Sequence, residues 1–482
     1  MAYNPVTREI IDALEKVAPG RVTSGAGVNP DYGKDAMPVY GTKMPEVAID
    51  VLSTEEVSGI VKICHDNGIP VTTRGSGTGL VGGCTPIFGG VVICTTKMNK
   101  IISYDVANFS VTVQAGVLLK QLAEDALTRG LMYPPDPGEK LATLGGNAAT
   151  NAGGMRAIKY GATREYLKAL KVVLADGEIT DFGSTVTKVS SGYNLVQLMA
   201  SSEGTLGIIT ELTLKLIPAP KATISLMAPF EKLQPCIAAV PKFFTDFKPQ
   251  AIEFFEREIL VSSEAYIGKQ VFPRKIDGTE IGAYLLVSFD GSSQEELDPI
   301  VEKASEFFLE CGALDILVAD TPPKQKDIWA ARSSFLEGIE EQTECLDECD
   351  VVVPVSRIAD YMAFVEEVGK DFDFEIKYFG HAGDGNLHIY TCSNTMEREE
   401  FVKQVAAFFK KIYKKAVEFG GDISGEHGVG LGKVGYFREA TGETNFGLQR
   451  AIKRAFDPKF ILNPGKVCYL PEDMAEARSA AG

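Results

Sequence analysis

The sequence predicts an α+β protein with more than one domain. The chain has 482 residues, enough for two or three domains. Its first part alternates short strands with amphipathic helices and is rich in glycine, whereas longer elements follow Pro218 and Pro220. We therefore expect one domain over residues 1–220 and a second over 221–415. The glycine-rich segment 416–482 is expected to return to the first domain.

The N-terminal elements follow from the periodicity of apolar residues. Residues 5–18 and 54–68 predict helices, the second with Thr54 as its N-cap. The segment IPVTT at 69–73 predicts a strand, and so do GVVICTT at 90–96 and SVTVQAG at 110–116.

The second region predicts an α+β domain built around an antiparallel sheet. GAYLLVSF at 282–289 and ILVAD at 316–320 predict strands, while 295–312 and 396–419 predict helices.

Composition excludes several classes of partner. The chain carries 48 Lys and Arg against 65 Asp and Glu, a formal net charge of −17. Such a surface argues against nucleic acid or an anionic membrane as the main partner, because both are polyanions. No run approaches the roughly 18 apolar residues of a transmembrane helix, and the N-terminus lacks the apolar core of a signal peptide. The nine cysteines are scattered, and we expect a cytoplasmic protein with reduced thiols.

A glycine-rich loop, RGSGTGLVGG at 74–83, follows the IPVTT strand. It contains GTGLVG, a formal match to the dinucleotide-binding pattern GxGxxG, but a helix should then follow and none is predicted. Glycines at this density let backbone N–H groups approach a phosphate or pyrophosphate closely. A flexible surface loop is the alternative. TLGGNAATNAGGMR at 143–156 and SSEGTLGIITE at 201–211 have the same small-residue character.

Two of the four histidines bracket a predicted turn in HAGDGNLH, residues 381–388. The Asp384-Gly385 pair is typical of a two-residue type I′ hairpin. Such a hairpin would place His381 directly opposite His388, with Cβ atoms about 4.5–5.5 Å apart. Imidazoles so placed can share a metal ion. From the hairpin alone, two hydrogen-bonded core histidines are an equally good interpretation.

The motif GEHGVG at 425–430 supplies further candidates. Glu426 would add an anionic ligand, giving a His₂Glu set that leaves coordination positions open, as catalytic metals require. His427 is better suited to proton transfer, because its unperturbed pKa of about 6.5 lies close to a working pH.

Taken in order, RGSGTGLVGG, PPDPG at 134–138, GGNAATNAGG at 145–154 and SEGTLGIITE resemble the FAD-binding domain of the vanillyl-alcohol oxidase/p-cresol methylhydroxylase superfamily. The two histidine motifs narrow the resemblance to the FAD-linked D-2-hydroxyacid dehydrogenase branch, which includes D-lactate dehydrogenases and the glycolate oxidase FAD subunit. The implied fold is a two-subdomain FAD-binding domain of the p-cresol methylhydroxylase type plus an α+β cap domain with an antiparallel sheet.

The resemblance implies non-covalent FAD, since the loop lacks the histidine that some relatives attach to flavin; a thioether to Cys84 remains an alternative. The implied FAD-binding residues come from the glycine-rich segments and the C-terminal NPGK motif: Arg74, Gly75, Ser76, Gly77, Thr78, Gly79, Pro135, Gly145, Gly146, Asn151, Gly153, Gly154, Glu203, Gly204, Gly207, Ile209 and Asn463. Lys466 belongs to the same C-terminal motif, without an assigned role.

The resemblance also implies a catalytic set. His381, His388 and Glu426 would hold a divalent metal (zinc, iron or manganese), and His427 would act as the base. Arg332, in IWAARSSF at 328–335, would bind the substrate carboxylate, a group that guanidinium can contact through two hydrogen bonds.

The implied reaction is oxidation of a small D-2-hydroxy acid, with hydride transfer to flavin N5. Leu336, Glu348 and Tyr390 stand where relatives acting on five-carbon diacids bind the distal carboxylate; Glu348 would repel it, which favours D-lactate. An electron-transferring flavoprotein is the expected acceptor. Alternatives are glycolate or D-2-hydroxyglutarate oxidation with a quinone, or an FAD transferase resembling ether-lipid synthase. The sequence does not fix the oligomeric state, for which a homodimer is one option.

Overall fold

The computed structural model describes residues 3–469 and divides the chain into two compact units. Unit 1 comprises Met1–Ala152, Ala162–Pro218 and Glu426–Gly482; unit 2 comprises Gly153–Gly161 and Ala219–Gly425. Residues 470–482, the end of the expected C-terminal segment, lie outside the described part.

Fifteen α-helices are found in the described residues. In chain order they are α1 (Arg8–Val17), α2 (Thr54–Asp66), α3 (Leu119–Leu127), α4 (Leu144–Thr150), α5 (Ala157–Tyr160), α6 (Leu195–Met199), α7 (Leu233–Phe243), α8 (Arg257–Ile267), α9 (Gln294–Glu310), α10 (Pro322–Ser333), α11 (Phe335–Glu340), α12 (Ile358–Gly369), α13 (Arg398–Glu418), α14 (Val434–Thr441) and α15 (Glu443–Phe456). Within residues 3–469, no helix has the length and apolar composition needed to cross a bilayer.

Unit 1 contains two larger sheets and a two-stranded one. The strands are β1 (Val22–Ser24), β2 (Val47–Asp50), β3 (Val71–Arg74), β4 (Val91–Cys94), β5 (Ile101–Asp105), β6 (Ser110–Gln114), β7 (Leu131–Met132), β8 (Leu167–Val173), β9 (Ile179–Gly183), β10 (Ile208–Lys215) and β11 (Ile217–Pro218). The orders are β1-β2-β4-β3, β5-β6-β10-β8-β9 and β11-β7. No helix lies between β3 and β4, so the match of GTGLVG to the pattern GxGxxG does not mark the strand–loop–helix dinucleotide site that this pattern describes.

Unit 2 is built on a seven-stranded antiparallel sheet. Its strands, with a separate β14-β15 ribbon, are β12 (Ala222–Phe230), β13 (Ala251–Glu256), β14 (Lys275–Ile276), β15 (Thr279–Glu280), β16 (Ala283–Gly291), β17 (Leu317–Ala319), β18 (Cys345–Val352), β19 (Glu375–His381) and β20 (Asn386–Ser393). The order is β17-β12-β16-β13-β19-β20-β18. This matches the antiparallel sheet expected for the second domain.

Helices cover both faces of this sheet, which explains why its strands are apolar on both sides. On one face Phe289 packs against Phe243 of α7, which stacks on Phe308 of α9. The other face packs against α8, α10 and α11, and its core includes Phe255 and Phe379. Because side chains alternate along a strand, this second face also carries the polar residues Glu253, Glu348, Asp350, His381 and His388.

Two details differ from the sequence-based expectations. Ser53, not Thr54, is the N-cap of α2, and its hydroxyl accepts the N–H of Glu56 at 3.3 Å; both residues suit a cap, and only the backbone conformation distinguishes them. The segment Gly153–Gly161 belongs to unit 2, where Lys159 and Tyr160 are bonded to Asp290 of β16.

Candidate active site

The structure places His381 and His388 on neighbouring strands, but not directly opposite each other as the type I′ turn predicted. His381 pairs with Asn386, and His388 pairs with Phe379. The predicted register was therefore wrong by two residues. A shift of two keeps every side chain on its original face, because strands alternate with a period of two. The imidazoles still share a face, with ring centroids 5.2 Å apart.

The turn differs because four residues, 382–385, form the loop. A type I′ turn needs positive φ at both central positions, whereas of the Asp384-Gly385 pair only Gly385 has it, at 85°. The N–H groups of Asp384 and Gly385 both reach the carbonyl of His381, at 3.3 and 3.1 Å. A Cβ on Gly385 would lie 1.9 Å from the carbonyl oxygen of Val353, so a side chain does not fit there.

A buried carboxylate holds each imidazole at Nδ1. The two oxygens of Glu253 lie 2.8 and 2.9 Å from Nδ1 of His381, and Oε1 of Glu348 lies 2.8 Å from Nδ1 of His388. An ionised carboxylate can only accept a hydrogen bond, so each Nδ1 carries the proton and each Nε2 presents a lone pair. This is the tautomer in which Nε2 can bind a metal.

Glu426 supplies a third potential ligand. One candidate ligand atom each from His381, His388 and Glu426 lies within 4.8 Å of the others. A set from Glu348, His388 and His427 meets the same criterion. The first set fits a metal better, because Glu348 is already bonded to Nδ1 of His388. His427 Nε2 lies 3.8 Å from Glu426 Oε1, beyond hydrogen-bond distance.

Arg332 is buried near the same histidines and is not a solvated surface charge. Its Nε and Nη2 donate to Oε2 of Glu253 at 2.9 and 2.5 Å, and its guanidinium lies over the rings of Phe335 and Phe379. These bonds use two of the five N–H donors of the Arg332 guanidinium. Burial opposes ionisation of Glu253, yet His381 and Arg332 lower the pKa of its carboxyl below the usual value.

Glu253 is a residue that the sequence reasoning missed. It lies directly opposite His381 across the β13–β19 pair, at the middle of the apolar strand AIEFFE. Its side chain is fully buried. A charged residue inside an apolar strand was the available signal, since buried carboxylates require partners.

Several glycines of the expected cofactor loops allow the protein to pack against itself. A Cβ on Gly75 would lie 2.2 Å from Oγ1 of Thr143, and one on Gly77 would lie 1.9 Å from the guanidinium of Arg74. Close internal contacts of the same kind, under 3 Å, occur at Gly145 and Gly207. The guanidinium of Arg74 packs against Gly77 of its own loop, and its Nη1 donates to the carbonyl of Lys34.

Asn463 connects two of the glycine-rich segments. Its Nδ2 donates to the carbonyl oxygens of Gly83 and Glu203 at 2.9 and 2.7 Å. The carboxylate of Glu203, one of the implied FAD-binding residues, accepts the N–H groups of Val429 and Gly430.

The remaining expected cofactor residues belong to the loops and strand ends of the same segments. Ser76, Thr78 and Gly79 follow β3; Pro135 follows β7; Gly146 lies in α4 and Asn151 caps it; Gly204 precedes β10 and Ile209 lies within it; Gly153 and Gly154 belong to unit 2.

Buried polar atoms in unit 1 fit a large polar cofactor. Asn147 Nδ2, Ser202 Oγ and Asn463 Oδ1 are buried and make no hydrogen bond to any residue in the described part of the chain. A buried polar atom without a partner is costly, and a ligand can supply one. The three atoms belong to three of the motifs assigned to FAD: GGNAATNAGG, SEGTLGIITE and NPGK.

Two family models match the chain. Residues 45–183 match an FAD binding domain and residues 219–467 match the C-terminal domain of FAD linked oxidases. The chain is 58% identical to "D-lactate dehydrogenase" of Anaerostipes hadrus, over 97% of this chain and 98% of that protein. It is 37% identical to "Glycolate oxidase subunit GlcD" of Bacillus subtilis (strain 168), over 90% and 91% of the two chains.

A solved structure of p-cresol methylhydroxylase with substrate bound shares the fold, with a TM-score of 0.78, 20% identity and 96% of each chain covered. This confirms the predicted fold class. The matched models span most of the sequence, and the chain belongs to the FAD-linked oxidase family, with an FAD-binding domain and an FAD-oxidase C-terminal domain.

Proposed function

We propose that this protein is an FAD-dependent dehydrogenase that oxidises D-lactate, a small D-2-hydroxy acid, to the 2-oxo acid. The observation that carries the proposal is the group formed by His381, His388 and Glu426, in which buried carboxylates hold both histidines with Nε2 as the ligand atom. The 58% identity to a protein named D-lactate dehydrogenase supports the choice of substrate.

Two cofactors serve this chemistry. FAD, when bound, would supply the hydride acceptor for this reaction. A divalent metal (zinc, iron or manganese), held by His381, His388 and Glu426, would supply Lewis acidity toward the substrate hydroxyl. A set of two imidazoles and one carboxylate is chemically suited to such ions and leaves positions open for substrate.

Arg332 and His427 then act on the substrate itself. Arg332 binds the carboxylate of the hydroxy acid, and its burial beside Glu253 strengthens that contact by excluding water. His427 accepts the proton of the hydroxyl as the hydride leaves the carbon. It lies next to Glu426 in the chain, so one loop presents both the ligand and the base.

The surroundings of His388 favour a monoacid. Glu348 is buried, and its carboxylate is bonded to His388. A second substrate carboxylate placed near Glu348 would be repelled by this negative charge. D-lactate is therefore preferred to a five-carbon diacid.

The flavin is bound non-covalently. Burial raises the pKa of the Cys84 thiol to about 11, although Arg74 lies 3.2 Å from its sulfur. A neutral thiol is a poor nucleophile, which disfavours a thioether at this position. Acid precipitation should release intact FAD into the supernatant; flavin that stays with the pellet would contradict this.

Electrons pass to a cytoplasmic electron-transferring flavoprotein. The nine cysteines have no spacing typical of an iron–sulfur cluster, so the reduced flavin needs a partner. Anaerobic reduction of a purified electron-transferring flavoprotein should exceed reduction of a quinone in liposomes; the reverse order would favour the quinone.

Anaerobic bleaching of the flavin tests the function itself. We expect D-lactate to bleach the flavin faster than L-lactate, glycolate or D-2-hydroxyglutarate. The contrasting function is an FAD transferase that resembles ether-lipid synthase. If none of the tested hydroxy acids bleaches the flavin, the proposed dehydrogenase activity is rejected.

A further inference from the structure

The loop that carries Glu426 and His427 is anchored on its N-terminal side by a buried carboxylate. Asp350, on β18, is 1% exposed. Its Oδ2 accepts the hydroxyl of Ser424 at 2.7 Å, and its Oδ1 accepts the N–H of Gly425 at 3.1 Å. Oδ1 also accepts Nδ2 of Asn386 at 2.7 Å, which ties the anchor to β20. The residue immediately before Glu426 is thereby fixed within unit 2.

A second buried carboxylate anchors the same loop on its C-terminal side. The oxygens of Glu203 accept the N–H groups of Val429 and Gly430 at 2.7 and 2.8 Å. A Cβ on Gly428, which has a φ of +89°, would lie 2.7 Å from Oε1 of Glu203, so glycine is needed for this close approach. These contacts all belong to unit 1.

The two anchors leave a short central piece, Glu426-His427-Gly428, between fixed ends. Backbone N–H groups donate to the carboxyl oxygens of both residues, and for Glu203, whose pKa burial raises to about 7, these bonds do not require full ionisation. Small misplacements of reacting groups, about 1 Å, can cost on the order of 100-fold in rate. Both anchoring carboxylates contact the loop and neither is a member of the proposed ligand set.

We infer that Asp350 and Glu203 are positioning residues with separate effects: Asp350 sets Glu426 for metal binding, and Glu203 sets His427 for proton transfer. This inference rests on the proposed function of Glu426 and His427. Asp350 is bonded to the residue next to the ligand, whereas Glu203 is bonded to residues that follow the base. Loss of each anchor should therefore impair a different property.

Hydrogen exchange tests the anchors without reference to activity. In the FAD-loaded protein, Glu203→Gln should speed amide exchange in peptides covering Val429 and Gly430 at least tenfold. Asp350→Ala should do so at Gly425. Asp350→Asn preserves the shape of the side chain and one accepting oxygen, so it should increase the exchange rate at Gly425 less than alanine does. This variant also keeps the test informative if the alanine variant misfolds.

Matched controls separate the effect on this loop from the effect of removing a carboxylate elsewhere in the same unit. Glu46→Gln suits unit 1, because the oxygens of Glu46 likewise accept two backbone N–H groups, from Val6 and Gly90, at 3.1 Å each. Glu256→Gln suits unit 2, since Glu256 lies on the same sheet as Asp350. Neither control should alter exchange in the loop.

Metal affinity and steady-state kinetics then separate the two roles. Asp350→Ala should lower zinc or manganese affinity at least tenfold, measured by chelator competition, with FAD content retained. Glu203→Gln should keep metal content but lower kcat at least tenfold, with KM within about twofold. Loop exchange that stays at the wild-type rate, or faster exchange with unchanged metal affinity and kcat, would overturn the inference. A wild-type protein that neither binds metal nor oxidises D-lactate would instead reject the proposed function, and the exchange data would still decide whether the anchors hold the loop.

Discussion

Replacing Glu253 with glutamine tests the oriented histidine site most directly. Glu253 receives hydrogen bonds from Nδ1 of His381 and from two nitrogens of Arg332. Glutamine has nearly the same shape but lacks the charge. Its amide nitrogen is a donor that cannot pair with Arg332, and it can pair with His381 only if Nδ1 gives up its proton to Nε2. One substitution should therefore weaken both the proposed metal ligand and the proposed substrate-binding cation.

The structure sets the expected magnitudes. Loss of the carboxylate that orients a ligating histidine typically costs 10–100-fold in metal affinity, or about 1.4–2.7 kcal/mol. The side chains of Arg332 and Glu253 are 7% and 0% exposed. Removing one partner from such a buried pair costs about 3–5 kcal/mol. Glutamine keeps one accepting oxygen, so we expect the loss of folding stability at the lower end of this range, about 3 kcal/mol.

Chelator competition, denaturant unfolding and kinetics with D-lactate measure the three effects. For Glu253→Gln we expect weaker metal binding, lower stability and a higher KM, because Arg332 loses its fixed orientation. Glu348→Gln is the matched comparison, since Glu348 holds His388. It should weaken metal binding without the same rise in KM.

The reasoning would be refuted by a Glu253→Gln protein that binds metal as tightly as wild type and has an unchanged KM. An equal rise in KM for Glu348→Gln would show that the rise comes from the weakened metal site and not from Arg332. FAD content, measured on each purified variant, excludes loss of the flavin as the cause.

Three further outcomes are expected. His427→Gln should keep metal and FAD but slow anaerobic flavin reduction about 10²–10⁴-fold, the usual contribution of a general base; a rate within threefold of wild type would remove this role. Arg332→Lys should raise KM for D-lactate at least tenfold in steady-state assays, because lysine cannot form the two-point contact; an unchanged KM would contradict it. Burial, with nearby Glu258 and Glu366, raises the pKa of Glu256 from 4.5 to about 7; the folded state thus holds this proton more tightly than the unfolded state. The contribution of Glu256 to stability should be fully present below pH 4.5 and fall by up to about 3 kcal/mol as pH rises through 7, and urea unfolding of Glu256→Gln across this range should lack that decrease.

The histidine hairpin shows what a local sequence pattern can and cannot predict. Alternation and the Asp-Gly pair predicted two strands with a turn, and both histidines on one face. The register was wrong because a turn type depends on φ at each central residue, and Asp384 does not adopt the positive φ that a type I′ turn needs. The error did not move either imidazole to the other face, since the shift was an even number of residues.

The glycine-rich loops show a different limit. Their composition indicates that the backbone closely approaches other atoms, but not whether those atoms belong to a ligand or to the protein itself. At Gly75 and Gly77 the nearest atoms are those of Thr143 and Arg74, within the protein itself. A glycine required by internal packing and one required by a ligand look the same in a sequence, because both only record that a Cβ does not fit.

The sequence by itself determined the fold class, the FAD-binding motifs in their order, and the hairpin that carries two histidines on one face. Only the tertiary structure decided which groups hold those histidines. Glu253 is 128 residues from His381, and Glu348 is 40 residues from His388. Such partners meet because β13, β19, β20 and β18 are adjacent in the sheet, and strand order between distant segments is set by the packing of the whole domain rather than by local periodicity.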